Sequence, residues 1–316
     1  MNAEGWLAGF LAASSRRGSI LLACGIFAGV LLPPLAHAFR QGITPMVVGL
    51  MTLVLLRVDI AAAFRHLRRP VRLTAVVAFQ MLASPVLVCG VTRLLSLEPA
   101  IAAGTVLFAT GATVTSSPAF ARLVGLDPEL SLLATLASTL LLPLTAPPIA
   151  YGLIDVDLSI GLFGFMGRLL VIVGAPLLAS LLLRQRLGPA RLEPAGAAID
   201  GAVVWLLVLY GLGVMDGMAA QIAGAPLWMA EATLAAFTAN LGLNLMSATA
   251  FSWMGPREAA TVGLVGGNRN MAVYLAVLPA AADPRIGLFF VLCQFPLYLS
   301  PFLLRPLYRR LLGPPA

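Results

Sequence analysis

The chain has 316 residues, 60% of them hydrophobic and only 10% charged, with a formal net charge of +7. A soluble domain carries about 25% charged residues, so this composition excludes a soluble enzyme or binding module and indicates a polytopic protein of the lipid bilayer. Every one of the 20 cationic side chains is arginine, and nearly all lie in short loops; that pattern orients helices in a membrane and argues against nucleic acid as a partner.

The first segment, MNAEGWLAGFLAASSRRGS, places its charges after the apolar patch, the reverse of a secretory signal. A short amphipathic helix ending at Arg16 and Arg17 is expected there. Ten apolar runs of spanning length follow, at about 18–39, 43–64, 73–92, 99–122, 130–154, 158–183, 199–222, 227–251, 259–282 and 286–304. Short loops with proline or glycine punctuation separate them, and none leaves room for a soluble domain. Cys24, Cys89 and Cys293 lie singly inside apolar runs and read as small buried hydrophobes. His37 and His66 are isolated, so no metal site, Ser-His-Asp set or cofactor is expected.

Arginine asymmetry sets the orientation. With the N-terminus inside, fifteen loop arginines face the cytoplasm and only Arg40, Arg93 and Arg285 face out, beside Asp155 and Asp157. A multi-pass protein of the cell inner (plasma) membrane with both termini cytoplasmic is expected. Ten helices divide into five plus five, and an odd number of crossings per half inverts the second half. Residues 1–183 then hold the first repeat (helices at 18–154) and the start of the second (158–183). Residues 184–198 form a cytoplasmic mid-chain loop, and 199–316 the rest of the second repeat. The fold class is all-α, ten transmembrane helices as two inverted five-helix repeats.

Two runs are interrupted. Helix four reads GTVLFATGATVTSSPAFAR, in which Gly111 precedes Thr113, Thr115, Ser116, Ser117 and Pro118. Proline removes a backbone donor and clashes with the preceding turn, and hydroxyls can satisfy the freed groups. A break is expected at Val114–Pro118. Helix nine carries Gly266-Gly267-Asn268-Arg269-Asn270 at its centre. Each glycine costs about 1 kcal/mol against alanine, and a central arginine about 2.5–3.5 kcal/mol on insertion scales. A break is expected at Gly266–Arg269. Interruptions at matching positions of two inverted halves point to a binding site where the two helices cross near the midplane.

Several further residues carry the resemblance to a family. Val58 to Arg72 contains Asp59, Phe64, Arg65-His66 and Pro70; Gln80 precedes Pro85 by five; Gly104 through Pro147 includes Ser138-Thr139-Leu140 and Pro143. In this order and spacing they resemble the bile acid:sodium symporter family over nearly the whole chain, as a divergent bacterial member. The resemblance implies a panel and a core of helices, with helices four and nine crossing in the core. It also implies two sodium sites. Gln80, Ser117, Ser131 and Thr135 match the family's ligands, and Gln294 is a further polar candidate. The family's asparagine after Ser117 is Pro118 here, its glutamate before the helix nine crossover falls on Val265, and its helix nine glutamine on Arg269. Loss of the carboxylate and gain of a fixed cation predict that two sodium ions are not bound.

Three roles stand open for Arg269: anchoring an anionic substrate, replacing a sodium ion as a built-in cation, or pairing with backbone carbonyls. Asn240 and Asn244 share a face of helix eight, and with Thr113, Thr115, Ser116, Ser117, Asn268, Arg269 and Asn270 form the expected substrate-binding set. Arg168 in helix six is expected to snorkel outward. The reading is a secondary transporter moving a small organic anion by alternating access, with no obligatory protein partner. Coupling to one sodium ion or to protons stays open. The alternatives are a sodium-coupled symporter of bile-acid-like or other carboxylate solutes with one retained ion site and, from another class, an ion or solute channel.

Overall fold

The computed structural model describes residues 3–15, 18–59, 70–154, 159–279 and 281–312. Its helices in chain order are α1 (Ala3–Ser15), α2 (Gly18–Leu31), α3 (Pro33–Arg40), α4 (Ile43–Leu56) and α5 (Pro70–Leu94). Then come α6 (Pro99–Thr110), α7 (Ser117–Val124), α8 (Pro128–Leu153), α9 (Leu162–Leu187), α10 (Gly196–Val214) and α11 (Met218–Gly224). The last are α12 (Pro226–Ala250), α13 (Pro256–Gly267), α14 (Met271–Val277), α15 (Pro284–Leu292), α16 (Gln294–Leu303) and α17 (Arg305–Leu312). No strand longer than a single bridge occurs among the described residues.

Among the described residues, five spans are long and apolar enough to cross a membrane: Pro70–Leu94, Pro128–Leu153, Leu162–Leu187, Gly196–Gly224 and Pro284–Leu312. The pair α3 and α4, bent by 69°, makes a sixth if it counts as one span. The expected run 227–251 is one continuous helix, α12, but is less apolar than these spans, whereas other expected runs fall short because they are interrupted. The run 18–39 breaks at Leu32, since Pro33 and Pro34 push the preceding residue out of helical geometry (φ −122°, ψ 71°). The run 43–64 ends at Leu56, and its last five residues, with the segment through Arg69, lie outside the described residues. So do Arg16, Arg17, Asp155 and Asp157.

The chain folds into two compact units, one of residues 1–60 and 170–226, the other of 61–169 and 227–316. In the first, α10 is central. A Cβ on Gly29 would lie 2.6 Å from the Leu212 carbonyl oxygen, and one on Gly213 2.9 Å from that of Phe39; bare backbone there lets helices touch, as membrane bundles require. Trp6, Phe10 and Trp205 stack at 5.7 Å between successive ring centroids. Asp216 pairs with Arg40 (3.1 Å) and His37 (3.2 Å), Asp200 with Arg57 (3.1 Å), and Asp59 with Arg184 (3.1 Å).

The second unit holds α5 to α8 and α12 to α17. Asp127 caps α8 by accepting from the Glu129 and Leu130 amides, and that helix packs against both α6 and α13. Arg72 bonds Glu258 (2.6 Å) at the start of α13 and lies over the Trp253 ring. Polar side chains buried in this unit include Gln80, Ser117, Ser131, Thr135, Asn240, Asn268 and Arg269.

Candidate functional site at two paired helix breaks

Two helices of the second unit stop inside it. The helix α6 ends at Thr110, and α7 begins at Ser117; α13 ends at Gly267, and α14 begins at Met271. The first break therefore starts three residues earlier than the expected Val114, at Gly111, whose extended backbone (φ −62°, ψ 150°) leaves the helix. Pro118 is not the breaking residue. It sits in the first turn of α7, where its missing N–H is unneeded by the helix. The second break comprises Asn268 to Asn270, since Gly266 and Gly267 are still helical.

The breaks satisfy one another. Thr113 and Arg269 form an antiparallel bridge, with the Val114 amide donating to the Asn268 carbonyl (2.9 Å) and the Asn270 amide to that of Ala112 (2.8 Å). Buried polar backbone must find partners, and side chains supply the rest. Ser138 Oγ accepts from the Thr113 amide (3.1 Å), and Thr113 Oγ1 donates to the Val265 carbonyl (3.1 Å). Asn240 Nδ2 donates to the Gly267 carbonyl (2.8 Å) and to Asn268 Oδ1 (3.0 Å), which also accepts from Ser300 Oγ (3.2 Å).

Arg269 is fully buried. Its Nε donates to the Gly266 carbonyl (2.7 Å), Nη1 to the Gly111 carbonyl (2.8 Å), and Nη2 to the Gln80 carbonyl (3.3 Å) and Ser84 Oγ (3.1 Å). Two of these carbonyls belong to the C-terminal ends of α6 and α13, where a cation gains about 0.3–1 kcal/mol per helix end. All four partners are neutral oxygens.

The expected residues divide three ways. Thr113, Asn268, Arg269, Asn270, Asn240 and the Val265 carbonyl are joined directly across the breaks. Asn244 faces elsewhere, donating to the Tyr308 hydroxyl (3.1 Å), while Thr115 and Ser116 are half-buried at the end of the first break. Ser117, Ser131, Thr135, Gln80 and Gln294 are buried, and Thr135 Oγ1 donates to the Ser131 carbonyl (2.7 Å). The side-chain atoms Gln80 Oε1 and Nε2, Ser117 Oγ, Ser131 Oγ, Asn268 Nδ2 and Gln294 Nε2 have no hydrogen-bond partner among the described residues.

Two features escaped the sequence reading. Residues Phe79–Ala83 form a π-helical turn in α5, and Ser84 donates its amide to Phe79, five residues back. Its continuation would assign the Gln80 carbonyl to residue 85, which is proline and has no N–H. The Ser84-Pro85 pair after Gln80 was the available signal. Arg168 stays exposed, but its Nη1 also donates to the Val277 carbonyl (3.1 Å) at the end of α14. A separate open hollow of about 230 Å³, lined by Cys89, Thr92, Arg93, Ser96 and Leu153, contains none of the break residues.

The profile of the Sodium Bile acid symporter family matches residues 44–222, more than half of the chain. The matched stretch takes in Gln80, the first break, Ser131 and Thr135 and stops before the second break. No curated protein matches the sequence significantly. Members of the family are transporters and not enzymes, and the family is sodium-coupled. With its apolar helices and this match, the chain is a multi-pass membrane protein belonging to the Sodium Bile acid symporter family.

Proposed function

We propose that the chain is a secondary transporter that moves a small organic anion by alternating access, binding it beside the crossing of the two breaks. It would cross the inner membrane ten times, as inverted repeats with helices at 18–154 and 158–304, and keep both termini in the cytoplasm. The observation that carries this reading is the direct pairing of breaks 111–116 and 268–270 around buried polar groups. Matched helix lengths support the repeat: α6 and α13 have 12 residues each, and the helices after the breaks have 8 and 7.

An anion is favoured because, among the described residues, the Arg269 charge meets only neutral oxygens. At 4 Å and an effective dielectric of 20 an anion gains about 4 kcal/mol from it. The engaged guanidinium supports a built-in cation over a direct anchor, leaving Thr113, Asn268, Asn270 and Asn240 as the groups nearest the solute. A second reading, symport with one sodium ion, is supported by the unpartnered Ser117, Ser131 and Gln80 side chains, since sodium takes oxygen ligands. Val265, lacking a carboxylate, speaks against two ions.

The test is uptake of a panel of labelled small carboxylates into proteoliposomes, with sodium, proton or no gradients. Saturable uptake of one carboxylate is expected. Saturable uptake that rises with sodium with a Hill coefficient near 1 would favour the second reading. Unsaturable inorganic ion flux without carboxylate uptake would overturn the first and favour a channel.

A further inference from the structure

Three chain irregularities release the carbonyls that surround Arg269. The Gly111 carbonyl loses its helical partner because α6 stops there. The Gly266 carbonyl would accept from the Asn270 amide in a continuous helix, but that amide bonds Ala112 instead. The Gln80 carbonyl is freed by the π turn and by Pro85, and accepts from Ser84 Oγ (2.9 Å) as well as from Arg269. These oxygens come from residues far apart in sequence and converge at one buried point, and those of Gly111 and Gly266 lie at the negative ends of two half-helices. Unwound carbonyls and half-helix C-termini are the donor set with which broken-helix transporters hold a desolvated monovalent cation. Buried intramembrane charges pair with one another or with backbone carbonyls; among the described residues the acceptors around Arg269 are three carbonyls and one hydroxyl, with no carboxylate.

We propose that the Gly111, Gly266 and Gln80 carbonyls with Ser84 Oγ form a monovalent-cation site whose occupant is covalently tethered: the Arg269 guanidinium. The site is filled permanently, so a free cation neither enters nor leaves it, and the chain carries that charge through every conformation. This deepens the transporter reading by making one coupling charge part of the protein. Removing the side chain while keeping the oxygens opens the site to a free cation of similar size.

The experiment is thermal unfolding of the full-length protein in lipid nanodiscs, for wild type and Arg269→Ala. Each is measured in choline chloride and with added sodium, potassium or guanidinium chloride at up to about 20 mM, too dilute for guanidinium to denature. Wild type should unfold at the same temperature in sodium as in choline. Arg269→Ala should unfold about 5 °C or more lower, through its unsatisfied carbonyls. Guanidinium or sodium should restore at least half of that loss, saturably. No cation response in the variant, or an equal response in both proteins, would overturn the proposal. Should Arg269→Ala not accumulate, Arg269→Lys and Arg269→Gln decide. A stable Lys form beside a cation-dependent Gln form supports the tethered cation; two equally impaired forms indifferent to cations refute it. No solute is present in these measurements, so failure here leaves the carboxylate-uptake result standing, and failure of uptake leaves this result standing.

Discussion

The two breaks solve the same problem by unlike means. Both follow a 12-residue helix that begins at a proline, Pro99 or Pro256. The first break, six residues long, is neutral: its amides and carbonyls are met by Ser138, by the opposing backbone and by Arg269. The second, three residues long, carries the cation and two asparagines and is tied back to α12 through Asn240. One break lends carbonyls and the other lends charge. A helix end costs nothing extra when its orphan groups are partnered, so neither break is stable in this form without the other.

Steric room separates them most sharply. A Cβ on Gly267 would lie 2.5 Å from the Asn240 carbonyl oxygen, a backbone atom that cannot rotate away. A Cβ on Gly111 would meet the Met271 methyl at 2.6 Å, the free end of a flexible side chain. Gly267→Ala should therefore lose about 2–3 kcal/mol and Gly111→Ala about 1 kcal/mol or less, read as nanodisc melting temperatures of the two variants. Equal losses would remove the distinction between a backbone-locked break and a side-chain-cushioned one.

A matched pair of polar deletions comes next in size. Asn240→Ala removes both bonds that tie the second break to α12, stranding the Gly267 carbonyl, and should cost about 1–2 kcal/mol. Ser138→Ala removes the single acceptor of the Thr113 amide and should cost about 0.6 kcal/mol, a usual value for one interhelical bond in a membrane. Melting temperatures in the reverse order would mean that the first break depends more on its side-chain support.

The existence of both breaks was legible because glycine pairs, clustered hydroxyls and a central arginine seldom stand together in an apolar run whose helix continues. Their edges were less so. Pro118 looked like the disruption but only starts the next helix, since proline is disfavoured inside a helix and favoured in its first turn. The partners of Arg269 could not be read from pattern. Gln80 stood out for its amide, whereas the structure uses its backbone carbonyl, released by a π turn and Pro85 and brought from 189 positions away. Likewise, the double proline at 33–34 splits a run that hydropathy alone treats as continuous.

The smallest expected effect tests how the two half-helices are anchored at their starts. The residue capping the start of α13 is Gly255, with no side chain to cap it, whereas the start of α6 is capped by Glu98, whose Oε2 accepts from the Ile101 amide (3.0 Å). Burial raises the Glu98 carboxyl's pKa, but the Trp228 indole (3.2 Å), the backbone amides and Arg285 (3.2 Å) outweigh it and leave the group below its ordinary 4.5. A carboxylate with a lowered folded pKa contributes stability that is fully present above its unfolded value and is lost as pH falls through the folded one. The contribution of Glu98 should thus be intact at pH 7 and begin to fade below about 4.5. Glu98→Gln should melt slightly below wild type at pH 7, by less than the equivalent of about 1 kcal/mol, and the gap should close as the pH drops towards 3. A gap that is constant or widens on acidification would show that Glu98 anchors α6 by packing and not by its charge.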